Sequence, residues 1–165
     1  MVFVSLLGHA YAEELCLSAL HRFILVNFDE EMIWDTFFQL LKDTLKHMQI
    51  IVYIVTLMKR DTREFKEDAI INKVPRDFDF STELIPGLFW EIQKWEKYTL
   101  KLYTRIFDHY TEEVEKTLDS DTAKKIRAAL ISLIRDEERH MELIDALSET
   151  HYFAEPEEGS KSSKD

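Results

Sequence analysis

Apolar residues recur in alternating steps of three and four along most of the chain, the spacing that lines one face of an α-helix. The first stripe, Phe3, Leu7, Ala10, Glu14, Leu17, His21 and Ile24, predicts a helix over about residues 2–26. The second, Phe37, Leu40, Leu41, Thr44, His47, Ile51, Ile54 and Met58, predicts a helix ending near Lys59. Asp29 would cap it, with Glu30 and Glu31 in a first turn whose dipole favours acids. Residues 50–56 are largely β-branched and would suit a strand, but the stripe passes through them unbroken. A third stripe, Phe89, Ile92, Glu96, Leu100, Tyr103, Phe107, Tyr110 and Val114, predicts a helix from near Thr82 or Pro86 to about Leu118. After a turn and cap at residues 119–121, a fourth runs from about Thr122 to Thr150 through Ile126, Leu130, Leu133, Glu137, His140, Ile144 and Leu147. Residues 61–82 are polar, contain Pro75 and read as a long irregular crossover. Two short connections and one long central one fit an all-α four-helix bundle made of two helix pairs.

Composition supports this picture. Three Gly and three Pro in 165 residues are too few for the tight turns of an all-β fold. The length is that of one domain. Residues 1–153 are assigned to the bundle; residues 154–165 form a polar tail with nothing to bury, expected to be mobile.

Acidic residues outnumber basic ones by 32 to 21, and the net charge of −11 opposes contact with a phosphate backbone. A single cysteine, Cys16, excludes an internal disulfide and any four-cysteine iron site. It reads as a small buried apolar residue. The apolar residues 1–7 lack the positive start of a signal peptide. The longest apolar run, residues 50–58, is far short of the roughly 20 needed to span a bilayer. The expectation is a cytoplasmic protein that binds neither nucleic acid nor membrane.

An internal repeat carries the chemistry. The segment from Phe37 to Ile51 overlays that from Leu130 to Ile144 at a constant offset of 93, without a gap. Leu40/Leu133, Asp43/Asp136, His47/His140, Met48/Met141 and Ile51/Ile144 are identical. Lys42/Arg135 and Lys46/Arg139 keep their charge. The first and third helices match at an offset of 82 through Glu14/Glu96, Leu20/Leu102 and Ile24/Ile106, with His21 opposite Tyr103. The chain therefore reads as a duplicated helix pair. Glu14, His47, Glu96, Glu137 and His140 lie on apolar stripes and would face one interior. A buried carboxylate without a partner is costly. A pair of divalent ions would satisfy this set, since carboxylate and imidazole together suit iron, manganese or zinc. Glu137 and His140, three residues apart, share a helix face.

The run Asp136-Glu137-Glu138-Arg139-His140 resembles the Asp-Glu-x-Arg-His motif of the di-iron carboxylate proteins. That ferritin-like superfamily includes rubrerythrins, ferritins, bacterial monooxygenase hydroxylases and acyl desaturases. The likeness spans about residues 2–150 and is of the rubrerythrin kind. It implies a ferritin-like bundle in which Glu137 bridges two metals, His140 binds one and His47 the other. Glu14 and Glu96 would be the carboxylate ligands of the first and third helices. Asp43 and Asp136 would orient the ligand histidines, with His21 and Tyr103, each seven residues after a Glu, beside the centre. Iron is the expected metal, as two ions or one, with manganese or zinc as alternatives.

Thr44 departs from this pattern, standing where the other copy has Glu137. Asp43 is no substitute: it lies about 100° away around the helix, and its twin Asp136 coexists with Glu137. Either a solvent bridge completes the site or one metal position is weak. From the residues alone, His21 reads as a satisfied core histidine. Tyr103 and the tryptophans Trp34, Trp90 and Trp95 read as packing. The function expected is a metal-dependent oxidoreductase that activates dioxygen or removes peroxide, fed by a separate electron-donor protein and assembled as a homodimer. The alternatives are a bundle that sequesters metal, or a vestigial one used only for association.

Overall fold

A computed structural model describes residues 2–73 and 85–148, and every element in it is helical. The helices are α1 (Val2–Asn27), α2 (Glu31–Leu57), α3 (Thr62–Asn72), α4 (Ile85–His109) and α5 (Ser120–Leu147). α1 packs along α2 and α4 along α5, as the short connections require; α2 against α5 and α1 against α4 close the bundle. The polar tail at residues 154–165, and Pro75 with the rest of residues 74–84, lie outside the described residues, as does the side chain of Phe89.

The four stripes face inward. Phe3, Leu7, Ala10, Leu17 and Ile24 on α1 are buried, as are Phe37, Leu40, Ile51 and Ile54 on α2. On α5 the same holds for Ile126, Leu130, Leu133, Ile144 and Leu147. Cys16 is buried and free. The core falls into two apolar clusters. One gathers the first half of α1, the end of α2, the end of α4 and the start of α5, around Phe3, Ile54, Tyr110 and Leu130. The other gathers the opposite ends, around Ile24, Phe37, Ile92 and Ile144.

Four sequence expectations need correction. Residues 62–72 of the expected irregular crossover form α3, capped by Asp61, whose carboxylate accepts from the backbone N–H of Arg63 (2.8 Å) and Glu64 (3.0 Å). Its only buried side chains are Phe65 and Ala69, four residues apart, so its stripe is too short to stand out in sequence. Phe65 packs edge-on against Tyr11 of α1. Asp29 does not cap α2: Phe28 N–H still bonds the Ile24 carbonyl, the chain turns one residue later, and Glu30 takes the cap position without a side-chain bond. The third predicted helix does not continue unbroken to Leu118. After His109 it widens into a π turn (Tyr110–Val114) and tightens into a 3₁₀ turn (Glu115–Thr117). Two ties pin this end. Arg127 makes a two-pronged bond to Glu115, both arms 2.8 Å, and the buried Tyr110 hydroxyl donates to the Ala123 carbonyl at 2.7 Å. Finally, Trp34 and Trp90 are surface residues, 42% and 37% exposed. Trp34 stacks on Phe38, and the Lys94 ammonium sits over Trp90.

Tyr110→Phe keeps the ring and removes one buried hydrogen bond. It should lower stability by about 0.5–1.5 kcal/mol in urea unfolding, with an unchanged denaturant slope.

Candidate metal centre

Glu14 sits midway along α1, Thr44 and His47 midway along α2, Glu96 midway along α4, and Glu137 and His140 beyond the middle of α5. None of the six side chains is more than 1% exposed. They form a polar layer between the two apolar clusters, which keep water out from both ends.

Two ligand groups meet in this layer. Glu14, His47 and Glu137 offer one ligand atom each within 4.8 Å of one another, and so do Glu96, Glu137 and His140. Glu137 belongs to both. His47 Nδ1 lies 3.1 Å from Glu14 Oε1 and 3.0 Å from Glu137 Oε1. His140 Nδ1 lies 3.3 Å from Glu96 Oε2 and 3.7 Å from Glu137 Oε1. The two imidazoles stack with centroids 5.4 Å apart. The His47 N–H bonds to Glu14, which leaves both Glu137 oxygens and Glu14 Oε2 without a hydrogen bond among the described residues.

The outer ring is exchanged between the two halves of the repeat. His47 Nε2 faces Asp136 of the other copy at 3.4 Å, and His140 Nε2 faces Asp43 at 3.4 Å. Lys46 holds Asp136 at 2.9 Å, while Arg139 holds Asp43 at 2.6 Å and also reaches Asp136 at 3.2 Å. The Tyr103 hydroxyl donates to Glu14 Oε1. In the mirror position, His21 Nε2 lies 3.1 Å from Glu96 Oε1. Thr44 faces the layer, its hydroxyl 3.4 Å from His21 Nδ1. All ten residues singled out in the sequence therefore lie in this layer or directly behind it.

Electrostatics follow from burial without solvent. Burial pushes Glu137 up to about 8, reinforced by the charges of Glu96 and Glu14 and opposed by His47. For His47 and His140 burial favours the neutral ring, but the surrounding carboxylates outweigh it. His140 rises to about 10, and His47 rises well above the usual histidine range. Burial also opposes ionisation of Glu96, yet His140 and His21 hold it below the usual carboxylate range. Asp43 is held down to about 2 in the same way by His140, Gln39 and Arg139, against burial. Burial first, then Glu14, holds the Tyr103 proton well above the usual phenol range. Without metal, protons held on His47, His140 and Glu137 reduce the negative charge of the layer.

The donor set fits a pair of divalent cations. Oxygen and imidazole nitrogen are borderline-hard ligands of the kind that iron, manganese and zinc accept. The carboxyl oxygens left without partners among the described residues are the atoms a cation would take; His140 Nε2 bonds the Asp43 carboxylate, while His47 Nε2 faces Asp136 at 3.4 Å without a hydrogen bond. One neighbour was not anticipated: Glu13, 5% exposed, accepts from the Trp95 indole and lies 3.2 Å from His9. It sits off the stripe, so only its position beside Glu14 could have suggested it.

No protein-family model matches the chain, and no curated protein matches it in sequence. Among solved structures it is similar to a dodecameric thioferritin, the bacterioferritin-related protein from Bacteroides fragilis. The TM-score is 0.65 at 14% identity, over 91% of this chain and 86% of that one. At that identity the likeness is one of fold, and the fold is the ferritin-like helical bundle. Among the described residues no helix is long and apolar enough to cross a membrane.

The protonation of this layer has a pH signature. Glu137, ordinarily near 4.5, keeps its proton to about 8 when folded, and His140, ordinarily near 6.5, to about 10. The folded chain thus holds more protons than the unfolded one across both windows, so this contribution to stability falls as pH rises through them. Asp43 acts oppositely, and its contribution is lost only as pH falls from its ordinary 3.8 through about 2. The metal-free protein should melt at a lower temperature at about pH 9 than at about pH 5. Glu137→Gln should flatten the decline between about pH 5 and 8; an unchanged profile in calorimetric melts would contradict the assignment.

Proposed function

We propose that the chain is a dinuclear metal protein, with iron as its working metal, acting as an oxidoreductase on dioxygen or peroxide. The observation that carries this reading is the pair of ligand groups that share Glu137 inside a dry layer. Glu14 and His47 would hold one ion, Glu96 and His140 the other, with Glu137 between them. Two ferrous ions bound there would supply two electrons to dioxygen or peroxide.

The protein's own residues do the rest. Lys46–Asp136 and Arg139–Asp43 fix the two imidazole rings and keep the second nitrogen of each directed outward. That leaves Nδ1 as the donor nitrogen of both rings. Tyr103 holds Glu14 and keeps a proton at its own oxygen beside the reacting space. The apolar clusters exclude bulk water, which strengthens every charge interaction in the layer. Electrons would arrive from a separate donor protein. Self-association is part of the proposal, supported by the exposed Trp34–Phe38 stack on α2; light scattering on the purified protein measures it.

Thr44 favours one second reading, metal held without turnover, because it removes a carboxylate from the set. Oxygen and peroxide consumption by the iron-loaded protein, with a reductant present, separates the two readings: turnover supports the enzyme, while tight binding without turnover supports storage or buffering.

Two further outcomes are expected. Iron or manganese at a hundredfold excess over its dissociation constant should stabilise the wild type by about 2.7 kcal/mol. Glu137→Ala should abolish most of that gain yet cost little in the chelated protein, because it also removes a buried carboxyl that has no hydrogen bond among the described residues. Equal shifts of the metal-free and metal-loaded melts would point to a relic. Metal binding should also release protons and tighten as pH rises from about 6 to 8, since Glu137 and the imidazoles must give up protons to bind. Calorimetry in buffers of different ionisation enthalpy counts the protons released.

A further inference from the structure

The metal layer and the two apolar clusters account for the inner face of α2. Its outer surface carries a second pattern. Trp34, Phe38, Leu41, Leu45, Met48 and Val52 recur in alternating steps of four and three, each one residue beyond a position of the inner face. One residue is about 100° of helical turn, so this second stripe follows one flank of α2 for about 27 Å. The opposite flank meets α5, through Asp43 on Arg139 and Lys46 on Asp136. The second stripe therefore lies on the α1 side. None of its six residues belongs to either apolar cluster. Leu41, Leu45, Met48 and Val52 are half-buried. Phe38 and Trp34 are exposed and stack at 5.0 Å, with Met32 and Val26 exposed at the same end of the bundle. Single exposed apolar residues are ordinary; a contiguous stripe with helical period is the surface on which another helix packs.

Charge selects the occupant. The chain carries a net charge of −11, so its copies repel one another over most of their surface. α2 does not share that excess. It holds Glu31, Asp35 and Asp43 against Lys42 and Lys46, and Lys59 and Arg60 follow directly. The signs are also sorted by position: Asp29, Glu30, Glu31 and Asp35 at the start, Lys59 and Arg60 at the end. A parallel copy of this helix would set acid on acid. A uniformly acidic or uniformly basic partner would suit one end and be repelled by the other. The same helix reversed suits both ends, and a two-fold axis makes each contact twice.

We infer that the α1-side flank of α2 is a two-fold interface between copies of this chain, in which α2 packs antiparallel on α2 of its copy. The inference gives a place and a symmetry to the self-association in the function proposed above. It rests on that part of the reading only and is independent of the metal centre.

The test is sedimentation velocity on the full chain with chelator present, over a range of protein concentrations. The wild type should sediment as a dimer or an even multiple of one. Trp34→Lys and Phe38→Lys change exposed side chains, so circular dichroism should show the bundle intact. Each should raise the dissociation constant at least about tenfold. Ile71→Lys, an equally exposed change on α3, should leave it unaltered. Orientation is read from charge: Glu31→Lys and Lys59→Glu should each weaken association several-fold, and the two together should restore it toward wild type. A wild type that is monomeric throughout, alone or in favour of another protein, overturns the inference. So does a Phe38→Lys chain that associates as the wild type does. A double charge variant weaker than either single one overturns the antiparallel packing. If calorimetry finds no metal bound while Phe38→Lys still dissociates the pair, the dinuclear reading fails and the interface stands.

Discussion

The structure turns on a layer of carboxylates and imidazoles with no access to water. Glu14, Glu96 and Glu137 are each 0% exposed, between two clusters of buried apolar side chains. Three carboxylates so placed cannot all ionise without compensation. The metal-free protein compensates with protons, on both ligand histidines and on Glu137. Even so, among the described residues three carboxyl oxygens of the layer lack hydrogen bonds. A metal pair would replace those protons with cations that also take the unpartnered oxygens, which is why binding, folding and pH are linked in this protein.

Exchange between the two halves holds the layer in register. Each histidine is backed by the aspartate of the other copy, and each of Glu14 and Glu96 is held by the ring seven residues after its twin. Glu96, Glu137 and His140 come from α4 and α5 alone, but Glu14 and His47 of the first pair reach a third ligand only in Glu137 of the second. The connections that bring the pairs together therefore shape the centre although they contribute no ligand. α3 docks on α1 through Phe65, at the end of the bundle away from Ile24 and Phe37. The π turn after α4 allows Tyr110 to remain in the core while the chain reverses toward α5.

Thr44 breaks the symmetry of the repeat, and its consequences are local. The short hydroxyl side chain stands next to the His21 ring, which lies against Glu96 where the opposite half has only a phenol against Glu14. Thr44 stands on the interior face where the twin position carries Glu137, so Glu137 alone belongs to both ligand groups. The outer ion pairs, by contrast, keep their symmetry: Lys46 and Arg139 play the same part on opposite sides.

Periodicity alone determined the four long helices and their inner faces, because a stripe of three- and four-residue steps over 25 or so positions can be buried in only one way. The repeat likewise identified the ten residues that meet in and around the layer, since twin positions on twin helices must face one interior. Tertiary structure decided what depends on distances between helices. α3 was hidden because two buried side chains make no visible stripe; its cap Asp61 became meaningful only once the helix was seen. The crossed pairing of Asp43 with His140 and Asp136 with His47 has no linear signature, because either aspartate could have served its neighbour on the same helix. The closeness of His21 to both Thr44 and Glu96 joins three helices at one point, and such a meeting is set by how the bundle closes rather than by any local pattern.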